Sequence, residues 1–135
     1  MIYLLDTNTC IRYINRYSEP IINRLQNLSP DDVAICDVVK FELYYGAYNS
    51  LQIERNLDTL RVFFEEFPSL PFNGKAASVC GYLRSQLKVK GTPIGAYDLQ
   101  IAAIALANNL MLVTHNTREF ERVEGLKLAD WELVD

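Results

Sequence analysis

The sequence predicts a single three-layer α/β/α domain, residues 1–135, with a mostly parallel sheet of about four to five strands. Short runs that are almost wholly apolar, such as residues 2–5 and 33–36, are typical of strands covered by helices on both faces. Segments with helical periodicity separate these runs, and strands that alternate with helices favour a parallel sheet. A chain of 135 residues is long enough to bury a core of its own.

The first half of the chain alternates apolar strands with amphipathic helices. Pro20 fits the first turn of a helix, and Asp37 is placed to cap another because it directly follows an apolar run. Residues 29–32, Ser-Pro-Asp-Asp, have the composition of a loop. The predicted elements are a strand at 2–5, helices at about 9–17 and 19–28, a strand at 33–36, and helices at about 38–48 and 51–66.

The second half repeats this alternation. Asn73 is placed to cap a helix, and the Lys90-Gly91-Thr92-Pro93 segment ends it, because Gly and Pro interrupt helices. The predicted elements are a short strand near 70–72, helices at about 73–89 and 96–109, a strand at 111–114, a helical turn at 117–122 and an edge strand near 126–128.

Composition and charge exclude several classes of protein. A chain that is 50% hydrophobic and 22% charged is not disordered, and its N-terminus turns acidic too soon for a signal peptide. We therefore expect a cytoplasmic protein without a membrane segment. The net charge of −4 argues against a passive nucleic-acid binder, although not against an enzyme that holds phosphates through metal ions.

Cys10, Cys36 and Cys80 are too scattered for a disulfide framework or a zinc site, so we expect small buried side chains.

Three acidic residues stand where structure alone would not place them. Asp6 ends an apolar strand, Glu42 lies on a helical stripe that is otherwise apolar (positions 38, 41 and 45), and Asp98 opens a nearly all-apolar helix. Each also has a structural explanation: a turn or helix cap for Asp6, the edge of the stripe for Glu42, and the helix dipole for Asp98. A carboxylate on a core-facing surface needs a partner or a cation. The three acids can meet this need together if they converge in one crevice around a cation.

A fourth group of polar residues follows the strand at 111–114. Asn116 and Glu119 are ordinary as single residues, but their strand can lie beside the one that ends at Asp6. His115 is the only histidine, and a lone histidine is more often a loop residue than a base or a ligand. In parallel sheets the crevice beyond the carboxyl ends of the strands is the usual binding site.

The chemistry that suits clustered carboxylates is metal-dependent hydrolysis. Unneutralised acids repel one another, and the usual remedy is a hard divalent cation with oxygen ligands. Mg²⁺, for which Mn²⁺ can substitute, is therefore the expected cofactor. Without a Gly-rich phosphate-binding loop, such a site points to hydrolysis of a phosphate ester by metal-activated water.

Four motifs follow one another along nearly the whole chain. They are Asp6-Thr7-Asn8, the segment 42–47 (Glu-Leu-Tyr-Tyr-Gly-Ala), the segment 93–102 that contains Asp98, and the segment 112–120 (Leu-Val-Thr-His-Asn-Thr-Arg-Glu-Phe). In order and spacing these motifs resemble the PIN-domain ribonucleases, and within them the VapC toxins of bacterial toxin–antitoxin systems.

The resemblance implies roles for five residues. Asp6 and Asp98 would hold Mg²⁺ directly, Glu42 would complete the acidic cluster, and water would attack the RNA phosphorus in line. Many members of the family have a fourth Asp where this chain has Asn116, which brings no charge. Glu119, one helical turn further on, can replace it.

The resemblance also implies partners. They are an RNA substrate, a small cognate antitoxin that blocks the site, and a second copy of the chain in a homodimer. The 114–120 segment is similar to that of the subgroup that cleaves initiator transfer RNA. RNA contacts are expected among the basic residues Arg12, Arg16, Lys40, Lys88, Lys90, Arg118 and Arg122.

Two other functions remain open from the sequence. A phosphoacceptor receiver domain has a similar size and also clusters acids around Mg²⁺, but it needs adjacent acids after the first strand and a Lys after a late one. A PIN-like scaffold that has lost its chemistry would explain Asn116, although it would not explain why Asp6, Glu42 and Asp98 are all present.

Overall fold

A computed structural model of the chain describes residues 1–133, so the last two residues of the predicted 1–135 domain lie outside the described part. The sheet has five strands in the order β3-β2-β1-β4-β5, and every neighbouring pair is parallel. The predicted α/β class is confirmed. The strands are β1 (Tyr3–Leu5), β2 (Val33–Cys36), β3 (Ser69–Leu70), β4 (Met111–Val113) and β5 (Leu128–Ala129).

Every predicted helix is present, with ends that differ by a few residues. Those in residues 1–133 are α1 (Thr7–Ile14), α2 (Glu19–Gln26), α3 (Asp37–Tyr48), α4 (Ile53–Glu66), α5 (Gly74–Lys90), α6 (Ala96–Ala107) and α7 (Thr117–Phe120), with a 3₁₀ turn at Pro30–Asp32. None of these helices has the length and apolarity that crossing a bilayer would require.

Helices cover both faces of the sheet. All four residues of β2 are buried, and successive strand residues point to opposite faces, so neither face is open to solvent. Helix α6 is also enclosed, as its apolar sequence predicts, with seven buried residues from Leu99 to Ala107. Cys10 and Cys36 are buried as expected, whereas Cys80 is only half-buried.

The two predicted helix caps have different outcomes. The Asn73 side chain accepts a hydrogen bond from the backbone N–H of Ala76 (3.0 Å), which confirms it as the cap of α5. The prediction for Asp37 is wrong, because Asp37 is the first residue of α3. Its carboxylate instead accepts a hydrogen bond from the Ser69 hydroxyl (2.6 Å), since β3 runs beside β2 and brings Ser69 within reach.

The strand order creates a topological switch between β1 and β4. From β1 the chain builds β2 and β3 on one side of the sheet, and then adds β4 and β5 on the other. Leu5 pairs with Val113, so Asp6 and Thr114 follow at adjacent carboxyl ends. Ligands of open α/β sheets bind at such a crevice. The order also differs from the 2-1-3-4-5 order of receiver domains, which argues against that alternative.

Candidate active site

Asp6 lies at the switch point and is 5% exposed. Its carboxylate accepts a hydrogen bond from the backbone N–H of Thr9 (2.8 Å) and caps α1, so the structural explanation given by the sequence is also correct. Burial raises the pKa of Asp6, while hydrogen bonds from Thr114 and Thr9 and the charge of Asp130 have smaller effects. A cation bound beside such a buried carboxylate would stabilise its charged form.

Glu42 is half-buried at the middle of α3. The predicted core-facing stripe is wrong for Phe41 and Tyr45, which are 48% and 64% exposed. The buried stripe instead contains Val39, Leu43 and Ala47, because these residues repeat every four positions. Glu42 is therefore at the edge of the core.

Glu42 nevertheless has the polar partner that burial requires. The Thr7 hydroxyl donates a hydrogen bond of 2.6 Å to Glu42 Oε1. Thr7 is the first residue of α1, directly after Asp6, so this bond links the helix that begins at Asp6 to the helix that carries Glu42.

Asp98 is the third residue of α6 and is about half-buried. Burial is the main reason that its pKa rises to about 6, and the charges of Glu119, Glu42 and Asp6, in that order, raise it further. The structure therefore brings three other carboxylates within electrostatic reach of Asp98, in a group of four. They come from four separate parts of the chain, and Glu119 acts on Asp98 more strongly than the two acids singled out first.

Asn116 and Glu119 join this group through hydrogen bonds. The Asn116 side chain donates to Glu119 Oε2 (2.7 Å), and the backbone N–H of Gly95, the residue before α6, donates to Oε1 (3.4 Å). The backbone N–H of Asn116 also donates to the hydroxyl of Thr114 (3.0 Å), which in turn bonds to Asp6. A chain of contacts thus connects both residues to the buried carboxylate.

His115 belongs to a cluster that the sequence analysis missed. Its Nδ1 lies 2.9 Å from Asp130 Oδ2 and 3.5 Å from Glu132 Oε2, and Arg12 Nε lies 3.0 Å from Glu132 Oε1. Asp130 and Glu132 follow β5, the neighbour of β4, so the rule that joined the other acids could have found them. His115 contacts both carboxylates and Arg12 pairs with Glu132, so we interpret the cluster as a polar network beside the site.

The carboxylates of the site fit a hard divalent cation. Burial is the main cause of the raised pKa values of Asp6 and Asp98, and a bound cation would offset that cost. Oxygen ligands are those that Mg²⁺ and Mn²⁺ prefer. Within residues 1–133, only His115, Asp130 and Glu132 bring three ligand atoms within 4.8 Å of one another. The site acids are spaced more widely, which suits Mg²⁺, since it keeps several waters and binds one or two carboxylates directly.

Comparison with known sequences gives consistent results. The model of the PIN domain family matches residues 3–126. A tRNA(fMet)-specific endonuclease VapC of Salmonella typhimurium is 42% identical over 129 residues, which cover 96% of this chain and 97% of that protein. Ribonuclease VapC2 of Rickettsia felis is 39% identical over 133 residues, covering 98% and 99% of the two chains.

Solved structures show the same likeness. The fold superimposes with a TM-score of 0.92 on a chain of the DNA-bound VapBC complex of Salmonella typhimurium, at 41% identity, with 97% and 98% of the two chains covered. For VapBC-1 of nontypeable Haemophilus influenzae the TM-score is 0.88 at 34% identity, covering 97% and 98%.

Proposed function

Because the chain belongs to the VapC family of PIN-domain ribonucleases, we propose that it is a Mg²⁺-dependent endoribonuclease that cuts transfer RNA. The observation that carries the proposal is the grouping of acids at the switch point between β1 and β4. Asp6 follows β1 there, the Thr7 hydroxyl next to it donates to Glu42, and Asn116 after β4 donates to Glu119. The raised pKa of Asp98 supports its position beside them. The name of the Salmonella typhimurium relative supports initiator transfer RNA as the substrate. A transfer RNA substrate supports a cytoplasmic location for this activity.

Each acid has a proposed task. Asp6 and Asp98 would hold Mg²⁺, and Glu42, fixed by Thr7, would add the charge that completes the site. Mg²⁺, with Mn²⁺ as a substitute, would stabilise charge on the phosphate and lower the pKa of the attacking water. Asn116 orients Glu119 through its 2.7 Å hydrogen bond, and Glu119 supplies the fourth carboxylate that Asn116 cannot.

The proposal includes two protein partners. The VapBC complexes among the solved relatives support a cognate antitoxin that blocks the acidic site, for which a basic side chain would be the natural counter-ion. We also propose a homodimer. Exposed aromatic residues on α3, such as Tyr45 and Tyr48 at 64% and 61% exposure, supply the kind of surface that such protein interfaces use.

Incubation with purified transfer RNAs tests the activity. We expect initiator transfer RNA to be cut at one position in Mg²⁺ or Mn²⁺ and to remain intact in EDTA. Asp6→Asn and Asp98→Asn should abolish cleavage with native circular dichroism, whereas Asp58→Asn, at an exposed acid on α4, should cut normally. Cleavage in EDTA would contradict the metal dependence. An intact substrate in Mg²⁺ would favour the inactive scaffold.

A further inference from the structure

Two aromatic side chains lie together on the surface where α3 and α6 meet. Phe41 and Tyr97 are each 48% exposed, and their ring centroids are 5.1 Å apart at an interplanar angle of 67°. The two rings contact each other in an edge-to-face arrangement, and about half of the surface of each residue is open to solvent.

Their place in the chain puts this pair at the rim of the acidic site. Phe41 directly precedes Glu42 on α3, and Tyr97 directly precedes Asp98 on α6. Hydrogen bonds tie both neighbourhoods to the acids: Glu42 accepts from Thr7, next to Asp6 (2.6 Å), and Gly95, two residues before Tyr97, donates to Glu119 Oε1 (3.4 Å). The two rings bridge the helices that carry Glu42 and Asp98.

We propose that Phe41 and Tyr97 form a stacking subsite for an unpaired nucleobase next to the scissile phosphate. The inference rests on the proposed function and adds a substrate contact to it. The carboxylates repel a phosphate backbone, and the net charge of −4 adds to that repulsion. Stacking of a base on an aromatic ring does not depend on net charge, and single-stranded RNA is commonly recognised in this way.

The position favours RNA over a protein as the occupant. A nuclease must bring substrate to its acids, so a surface continuous with Glu42 and Asp98 meets RNA whenever the enzyme turns over. An interface with a second copy of the chain would cover the same rings, and the test below separates the two.

Binding of a fluorescein-labelled single-stranded RNA of about 12 nucleotides, measured by anisotropy in EDTA at low salt, tests the subsite without cleavage. We expect Phe41→Leu and Tyr97→Leu to weaken binding about five- to hundredfold, the usual effect of losing one stacked base. Tyr97→Phe keeps the ring and should bind like wild type. The matched control is Tyr17→Leu, at a residue that is 75% exposed between α1 and α2, and it should also bind normally.

A second probe identifies the base contact. A series of RNAs carries a single abasic site at successive positions. We expect one of them to bind wild type as weakly as the intact RNA binds the Leu variants. The same abasic RNA should bind the Leu variants no more weakly than the intact RNA does. Leu variants that bind the intact RNA like wild type would overturn the subsite. It would also be overturned if sedimentation shows that a change of oligomeric state accounts for the lost affinity. Wild-type protein that neither binds nor cuts RNA would contradict the proposed function itself.

Discussion

The role proposed for Asp98 sets metal binding against the stability of the fold. Its carboxylate is half-buried beside the charges of Glu119, Glu42 and Asp6, and its pKa rises to about 6 from the usual 3.8. A raised carboxyl pKa means that the folded protein binds the proton more tightly than the unfolded chain does. The stability gained from this proton is complete below about pH 4 and is lost as the pH rises through 6.

The first prediction is that Asp98→Asn raises the melting temperature of the metal-free protein at neutral pH. Removal of the charge should recover about 1 kcal/mol after solvent screening of a half-exposed group is allowed for, which exceeds the smaller loss at the start of α6. Melts in EDTA should show the gain at pH 7 and its disappearance near pH 4. A variant that melts lower than wild type at pH 7 would show that the helix dipole dominates.

The same variant should respond weakly to metal. Mg²⁺ stabilises whatever conformation binds it, so wild type should gain stability in Mg²⁺ and Asp98→Asn should lose most of that gain. An equal gain in both proteins would remove Asp98 from the metal site.

Asn116→Asp is the second prediction. The Asn116 side chain donates to Glu119 Oε2, and an Asp there would turn this hydrogen bond into a contact between two carboxylates. We expect a lower melting temperature in EDTA, a larger rise in Mg²⁺ than wild type shows, and tighter Mn²⁺ binding by calorimetry. Unchanged affinity and stoichiometry would place position 116 outside the metal site.

At the scale of the elements, periodicity and apolar runs were sufficient to find the helices and strands of residues 1–133. They did not fix the details that depend on tertiary neighbours. Positions 38, 41, 42 and 45 of α3 form a plausible apolar stripe, but of these only Val38 is buried. Val39 and Leu43 are the other buried positions, and Phe41 and Tyr45 remain exposed. Asp37 looks like a cap until β3 brings Ser69 beside it.

The candidate site was predictable to a similar degree. The acids at Asp6 and Asp98 could be found because charged residues interrupt apolar segments at strand and helix ends, and the electrostatics of Asp98 are consistent with their convergence. The cluster of His115 and Asp130 was missed because its members are 15 residues apart and neither interrupts an apolar helix. Only the pairing of β4 with β5 brings them together.

The third prediction compares the two expected caps. Asn73→Ala should destabilise the protein by about 1 kcal/mol, because it removes a hydrogen bond to an otherwise unpaired helix N–H. Asp37→Ala should lose the Ser69 contact instead, and Ser69→Ala should then add little in the double mutant. Urea unfolding of the four proteins and wild type measures both effects. Additive losses at 37 and 69 would show that the hydrogen bond contributes nothing.

At the scale of the whole molecule, the fold concentrates negative charge where RNA must bind. The strand order collects acids at one edge of the sheet, and the net charge is −4, so the approach of a polyanion depends on local basic residues. Several of the basic candidates already have partners in the protein. Arg12 pairs with Glu132, the Lys90 ammonium lies 3.8 Å from Glu124, and Arg122 donates to the Pro93 carbonyl (3.0 Å).

The last prediction compares an exposed basic residue beside Glu119 with a basic residue that is already paired. Arg118 is exposed on α7, directly before Glu119, and so lies at the edge of the acidic site where a phosphate must pass. Arg12 is also partly exposed, but the 3.0 Å contact with Glu132 already neutralises its charge. We expect Arg118→Ala to weaken binding of initiator transfer RNA in EDTA and to reduce the slope of log K against log salt by about 0.7–0.9, the value for one lost phosphate contact. Arg12→Ala should leave the slope unchanged. Affinities measured between about 50 and 200 mM salt decide the matter, and equal slopes for wild type and both variants would contradict a phosphate contact at Arg118.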